Sequence, residues 1–252
     1  MSQAVTYREW APPRGLEEAL SCLWTQVIPE GGAPPVRVLP DACVDVIWQS
    51  DVGVYVAGPD TGPAPVAMPP GAVLIGARFR PGAGGSGLGL PLDEIRDRRV
   101  DLIDLHAVPA RTLPGRLAPD EALRRLIIAV EGMISTRAPD ALVTHGARLL
   151  SAPGTRCEAL GGALDLSERQ LRRRFQTAVG YGPKTLQRVL RFRGFLDRVD
   201  AGLEGLELAD LALELGYADQ AHMTREVTRL SGLSPLALSR SRLPEVSPRR
   251  PG

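Results

Sequence analysis

Cysteine, histidine and lysine are scarce in this chain. Its 252 residues hold three cysteines, three histidines and a single lysine, Lys184. Cys22, Cys43 and Cys157 are scattered, with no C-x-x-C pair and no Cys/His spacing that would hold zinc. A disulfide scaffold and a zinc-ribbon architecture are thereby excluded, and reduced, mostly buried thiols are expected. His106, His145 and His222 stand alone, so neither a metal nor another cofactor is expected. No run approaches the 18 apolar residues of a spanning helix. The N-terminus, MSQAVTYREW, lacks a basic segment followed by an apolar one, so no secretory signal is read. A soluble, cytoplasmic protein without a membrane partner is the expectation.

The net charge of +1 conceals an asymmetry. Residues 1–140 carry 13 basic and 17 acidic side chains, net −4, whereas residues 141–252 carry 17 basic and 12 acidic, net +5. A basic C-terminal half suits a polyanionic partner. The near-total preference for arginine over lysine, with abundant Ala, Gly and Pro, also fits codon bias, which dilutes the arginine signal.

That basic half contains one pattern twice. The first copy is CEALGGALDLSERQLRRRFQTAVGYGP, Cys157 to Pro183; the second is LELADLALELGYADQAHMTREVTRLSGLSP, Leu206 to Pro235. Each has a short amphipathic run, a turn, a second helix with polar and basic residues, and a Gly-x-x-Pro stop, which is helix-turn-helix repeated. In the first copy Leu160 and Leu164 form one stripe, Ser167 can cap the next helix, and Leu171, Phe175 and Val179 recur at core spacing. Arg169, Arg172 and Arg173 are left facing outward, where arginine serves guanine edges and phosphates alike. In the second copy Leu208, Leu211, Ala212 and Leu215, then Met223, Val227 and Leu230, supply the core. Asp219 is the cap, and Gln220, Ala221, Thr224 and Arg225 face outward. Residues 183–201 between the copies read as one helix of roughly 28 Å. One turn of B-DNA is about 34 Å, so such a helix can place two recognition helices in successive major grooves.

These residues resemble the DNA-binding domain of the AraC/XylS transcription regulators. The resemblance spans about 100 residues and rests on LSERQLRRRFQTAVGYGPKTLQRVLRF and ELADLALELGYADQAHMTREVTRLSGLSP. It implies that Arg169, Arg172 and Arg173 lie on the first recognition helix, and Gln220, Ala221, Thr224 and Arg225 on the second. Met223 and Val227 depart from the family, which usually has Phe there, but remain apolar. The partner implied is double-stranded promoter DNA; RNA polymerase and a second copy of the chain are further partners the resemblance allows.

The N-terminal half has short apolar runs between Pro and Gly: Val36–Leu39, Cys43–Gln49, Val52–Gly58, Pro65–Pro69 and Ala72–Gly82. They read as strands of a small antiparallel barrel or sandwich. Glu17–Trp24 is amphipathic or extended. The segment Gly82–Gly89, GAGGSGLG, is either a flexible connection or a phosphate cradle, and the Lys-Ser/Thr and following helix of a phosphate loop are missing. Asp120 is expected to cap a helix with Leu123, Ile127, Val130 and Ile134 on one stripe, serving dimerisation or packing onto the barrel. The half resembles an uncharacterised domain found in front of such DNA-binding domains, implying a sensor for an unknown small-molecule effector. The His-x-His ligands of cupin relatives are absent. Trp48, Tyr55, Arg78 and Arg80, with Phe79, are the candidates for an anionic effector site; the alternative is that Trp48 and Phe79 are core and both arginines exposed.

The expected architecture is α+β in two domains. Residues 1–108 form a β-rich sensor, 109–138 a helical linker, 139–242 the all-α DNA-binding domain, and 243–252 a disordered tail. The expected function is sequence-specific DNA binding in transcription regulation, without catalysis. The rival is a DNA-binding domain fused to a Cys-based repair, redox or enzymatic domain, for which Cys43 would have to be activated.

Overall fold

The computed structural model describes residues 5–102, 113–152, 154–202 and 207–242. The N-terminal part is a six-stranded antiparallel sheet in the order β1-β2-β7-β4-β5-β8: β1 Thr6–Trp10, β2 Leu20–Val27, β4 Val44–Gln49, β5 Gly53–Ala57, β7 Val73–Phe79 and β8 Arg99–Asp101. Strands β3 Val36–Val38 and β6 Ala64–Val66 form a separate two-stranded ribbon. Of the expected Glu17–Trp24 run, residues 17–19 form a turn and the rest is extended chain, β2 running from Leu20 to Val27. Strand β1 was not anticipated. It is an edge strand with almost every side chain exposed, so it carries no apolar alternation.

Alternation divides the large sheet into two faces. Val46, Trp48, Val54, Ile75, Ala77 and Phe79 point into a core closed by helix α2, Pro119–Thr136. Cys22, Trp24, Ile47 and Leu74 point the other way, into a smaller cluster with Ile28 and Ala72. Helix α2 therefore packs onto the sheet, but its deepest stripe is Ala122, Leu126, Ala129, Val130 and Met133. Leu123, Ile127 and Ile134 flank that stripe half-buried. The cap differs too: Ala118 occupies the N-cap, Pro119 opens the helix, and Asp120 sits in its first turn.

The glycine-rich segment is neither a cradle nor a loose connection. Gly84–Leu88 is a short helix, α1, with Gly84, Gly85 and Leu88 buried. A Cβ on Gly85 would stand 2.9 Å from the Thr177 carbonyl oxygen and 3.3 Å from the Ala178 Cα. Glycine is there because two backbones meet.

The C-terminal part is all helix: α3 Ala141–Ser151, α4 Leu160–Ala163, α5 Glu168–Val179, α6 Pro183–Asp200, α7 Leu208–Glu214, α8 Gln220–Ser231 and α9 Pro235–Arg242. Its core gathers Leu160, Leu171, Phe175, Leu186, Phe192, Phe195, Leu211, Met223 and Val227, among others. Met223 and Val227 are fully buried, so they fill positions that aromatic rings occupy in the family pattern. The N-terminal part reaches into this core through Ala42, which is buried among the helices with a left-handed φ of 67°. The Asp41 carboxylate, accepting from the Cys43 N–H at 2.9 Å, fixes that turn. His106, residues 109–112 of the expected linker and the 243–252 tail lie outside the described residues.

Candidate nucleic-acid interface

The two helix-turn-helix units repeat down to single hydrogen bonds. In the first, Leu166 N–H donates to the Gly161 carbonyl at 2.9 Å; in the second, Tyr217 N–H donates to the Ala212 carbonyl at 2.8 Å. Each bond spans five residues and closes over one left-handed residue, Asp165 at φ 51° and Gly216 at φ 77°. The outgoing helices, α5 and α8, are both 12 residues long. Ser167 caps α5 in a reciprocal box: Gln170 N–H donates to its hydroxyl at 3.4 Å, and its own N–H donates to Gln170 Oε1 at 3.0 Å. Asp219 caps α8, accepting from the His222 N–H at 2.6 Å. Both helices end on a left-handed glycine, Gly180 and Gly232.

Aligned from their first residues, the helices place Arg169 with Ala221, Arg172 with Thr224, and Arg173 with Arg225. Arg169, Arg172, Arg173, Gln220, Ala221 and Arg225 are exposed, and Thr224 is half-buried. Among the described residues, none of the four arginines in this set is drawn into an ion pair. Neighbouring charges are engaged instead. Arg174 turns inward to Asp140 at 2.6 Å, while Asp140 also caps α3. Glu226 accepts from Arg188 on α6, with one arm at 2.9 Å, which ties α8 to the connecting helix. The cationic face is thus left open while the acidic neighbour is neutralised from behind. Gln176 lines the same cleft as Arg169, Arg172 and Arg173, and Arg229 is exposed four residues after Arg225. Sequence reasoning passed over both, although the spacing of four on one helix face would have found them.

Helix α6 sets the two units apart. It is 18 residues long, about 27 Å. Its buried Gln187 donates to the Thr155 carbonyl at 2.7 Å, anchoring the segment that enters the first unit.

The candidate effector residues are not gathered in one place. Trp48 is fully buried and donates its indole N–H to the Pro114 carbonyl at 2.9 Å; Phe79 shares that core. Tyr55 lies on the opposite face of the sheet, because strand alternation separates it from Trp48 in paired strands β4 and β5. Burial pushes its phenol up to about 12. Arg78 shares Tyr55's face but is held by Asp45, Asp41 and Glu9 at 3.1, 3.4 and 3.3 Å. Arg80 is exposed and donates to the Glu17 carbonyl at 2.8 Å. Cys43 is enclosed, and burial with the nearby Asp41 and Asp45 pushes its thiol well up. A nucleophilic thiolate needs the opposite environment.

Residues 160–241 match a family described as a helix-turn-helix domain, and residues 8–101 match one described as a domain of unknown function, DUF6597. The C-terminal segment belongs to the AraC-type helix-turn-helix domains, set behind a DUF6597 domain, and the class this defines is the DNA-binding transcription regulator. Similar solved structures include ToxT from Vibrio cholerae bound to (E)-4-(8-methylnaphthalen-1-yl)but-3-enoic acid, 10% identical, with TM-score 0.45 over 94% of this chain and 98% of that one. ToxT with an unsaturated fatty acid bound is 9% identical, with TM-score 0.41 over 94% of each chain. The C-terminal domain of AraT, a response regulator from Geobacillus stearothermophilus, is 18% identical, with TM-score 0.39 over 44% of this chain and 94% of that one. None of the curated proteins matches the chain significantly.

Proposed function

We propose that the protein grips one face of double-stranded promoter DNA with α5 and α8 in two successive major grooves, and that its N-terminal domain conveys a small-molecule signal to that grip. The observation that carries this is the repeated unit: two 12-residue helices with matched open faces, separated by a helix of about 27 Å. Arg173 and Arg225, equivalent in the two copies, are the leading base-reading pair, with Arg169, Arg172, Gln220, Ala221 and Thr224 beside them. In this scheme residues 1–108 sense, 109–138 join and 139–242 bind DNA. The protein works in the cytoplasm, with RNA polymerase and a second copy of the chain as further partners. Tyr55 and Arg78, which share a sheet face, are retained for effector contact; Trp48 and Arg80 lie apart from them. The Cys43 alternative loses its chemical basis, because the thiol is buried and its ionisation disfavoured.

Footprinting and anisotropy of the full chain on its own upstream DNA test this, across a salt series with nonspecific competitor. The expected outcome is a protected site of about 20 base pairs with two contacts one turn apart. Binding that competitor abolishes, leaving only a steep salt slope, would reduce the protein to an electrostatic DNA binder.

A further inference from the structure

The sheet domain touches the two helix-turn-helix units at equivalent points. Each recognition helix ends with carbonyls that lack a partner within the helix, where positive charge is favoured. At the end of α5, Arg96 donates to the Gly180 carbonyl at 3.2 Å. At the end of α8, Arg37 donates to the Ser231 carbonyl at 2.7 Å. The closing glycines also meet the sheet domain: a Cβ on Gly180 would lie 2.4 Å from Pro59 Cγ, too near to fit, whereas one on Gly232 would lie 3.3 Å from Arg37 Nη1 and at ordinary contact distance, 3.7 Å, from Pro63 Cγ. Pro59 and Pro63 are the two prolines of one short loop, Gly58-Pro-Asp-Thr-Gly-Pro63.

That loop is pinned. Asp60, 8% exposed, accepts both arms of Arg99 at 2.9 and 2.8 Å. Thr61 donates its N–H to Asp97 at 2.6 Å and its hydroxyl to the same carboxylate. Gly58 fits so closely that a Cβ would fall 1.9 Å from the Ile95 carbonyl oxygen. Arg96 belongs to the segment the loop is bonded to. Arg37 lies on β3, whose partner β6 starts directly after Pro63. The two arginines and two prolines are therefore parts of one connected piece, with one prong on each unit.

We propose that this bracket fixes the distance and rotation between the two recognition helices, so that Arg37 and Arg96 are positioning residues for the spacing of the DNA site. The proposal rests on the two-groove function above. It makes the sheet domain a determinant of DNA specificity that acts through the placement of α5 and α8.

The test is selection from random-sequence duplexes with the full chain, followed by competition among sites whose spacer is lengthened or shortened by one base pair. One base pair moves one groove contact by about 3.4 Å and about 35° relative to the other. Wild type is expected to enrich a bipartite site of one spacer length and to lose on the order of 10-fold affinity when the spacer changes. Arg37→Ala with Arg96→Ala is expected to enrich the same half-sites at several spacers, with the one-base-pair penalty cut to about 3-fold or less. Arg37→Lys with Arg96→Lys, which keeps charge at both helix ends, should restore a single spacer. Pro63→Ala provides a milder second variant, and thermal melts check that each variant is folded. An alanine variant that is folded and keeps the wild-type spacer and penalty overturns the bracket and leaves the two-groove function standing. A wild-type protein that enriches no bipartite site overturns that function, and the bracket with it.

Discussion

Arg78 lies beneath three carboxylates, Glu9, Asp41 and Asp45, on a half-buried face of the sheet. Burial raises the Asp45 carboxyl and the guanidinium pulls it partly back, leaving it at about 6; the carboxylates in turn hold Arg78 well above its usual range. Removing the cation would leave Asp45 enclosed and unpaired. Arg78→Ala should therefore cost about 1–2 kcal/mol in urea unfolding at neutral pH, because Asp45 can shed the unpaired charge by taking a proton. The sign of its pH dependence follows. With its pKa raised above the unfolded value, Asp45 keeps in the folded state a proton that the unfolded chain releases. The Asp45 share of the loss in Arg78→Ala should be small and flat up to about pH 6, where the carboxyl is protonated in both folded proteins, and grow as pH rises above 6. An equal loss at pH 5 and pH 7 would assign the cost to something other than Asp45. On the DNA side, Arg173→Ala or Arg225→Ala should lose about 1–3 kcal/mol of binding at one base position if the side chain reads a base; equal loss on every sequence would mark a phosphate contact. The open arginines were legible in the sequence because they fall between core positions of a clear helical period. The engagement of Arg174 and Arg78 was not, because their carboxylates lie 34 and 33 residues away in sequence.

Among the elements, α5 depends on its cap. Ser167→Ala removes the hydroxyl that accepts from the Gln170 N–H while leaving the backbone N–H that donates to Gln170 Oε1, and should lower stability by about 1 kcal/mol, read as a shifted urea midpoint with an unchanged slope. Helix α2 depends on burial: Leu126 is fully enclosed, and Leu126→Ala should cost about 2–5 kcal/mol. The helices of the C-terminal part were legible from the 3.6-residue period together with Ser167, Pro183, Asp219 and the closing glycines. The stripe on α2 was misplaced by one position. Its centre is built partly from Ala122 and Ala129, whose small side chains give little signal, while larger flanking residues give more. Helix α1 was illegible for a different reason. Glycine is a poor helix former, and GGSGL is helical because tertiary neighbours leave it no other room. Both edge strands, β1 and β8, were faint because neither buries a face.

At the scale of the whole molecule, the sheet part and the helical part share a packed boundary through Ala42, Gly85 and Gly180. One cooperative unfolding transition is expected, seen identically by fluorescence and circular dichroism. Gly85→Val, which drives a side chain into the Thr177 carbonyl, should separate the probes or lower the midpoint. The division into a β-rich and an all-helical part could be read from residue patterns, but the boundary between them could not. It is built largely from glycines, prolines and backbone carbonyls, with Ala42, Arg37 and Arg96 set among them, and these carry no periodic signature. The close fit of Pro59 to Gly180 and the Arg37 hydrogen bond beside Gly232 bear on ancestry. One residue inserted into α6 would turn the second unit by about 100° and shift it by about 1.5 Å, carrying Gly232 away from Pro63 while Gly180 stayed put. The length of α6 and the length of the 58–63 loop would then be constrained to change together. Lineages with this architecture would acquire new binding sites by changing side chains on α5 and α8, not by exchanging the DNA-binding half for that of another regulator.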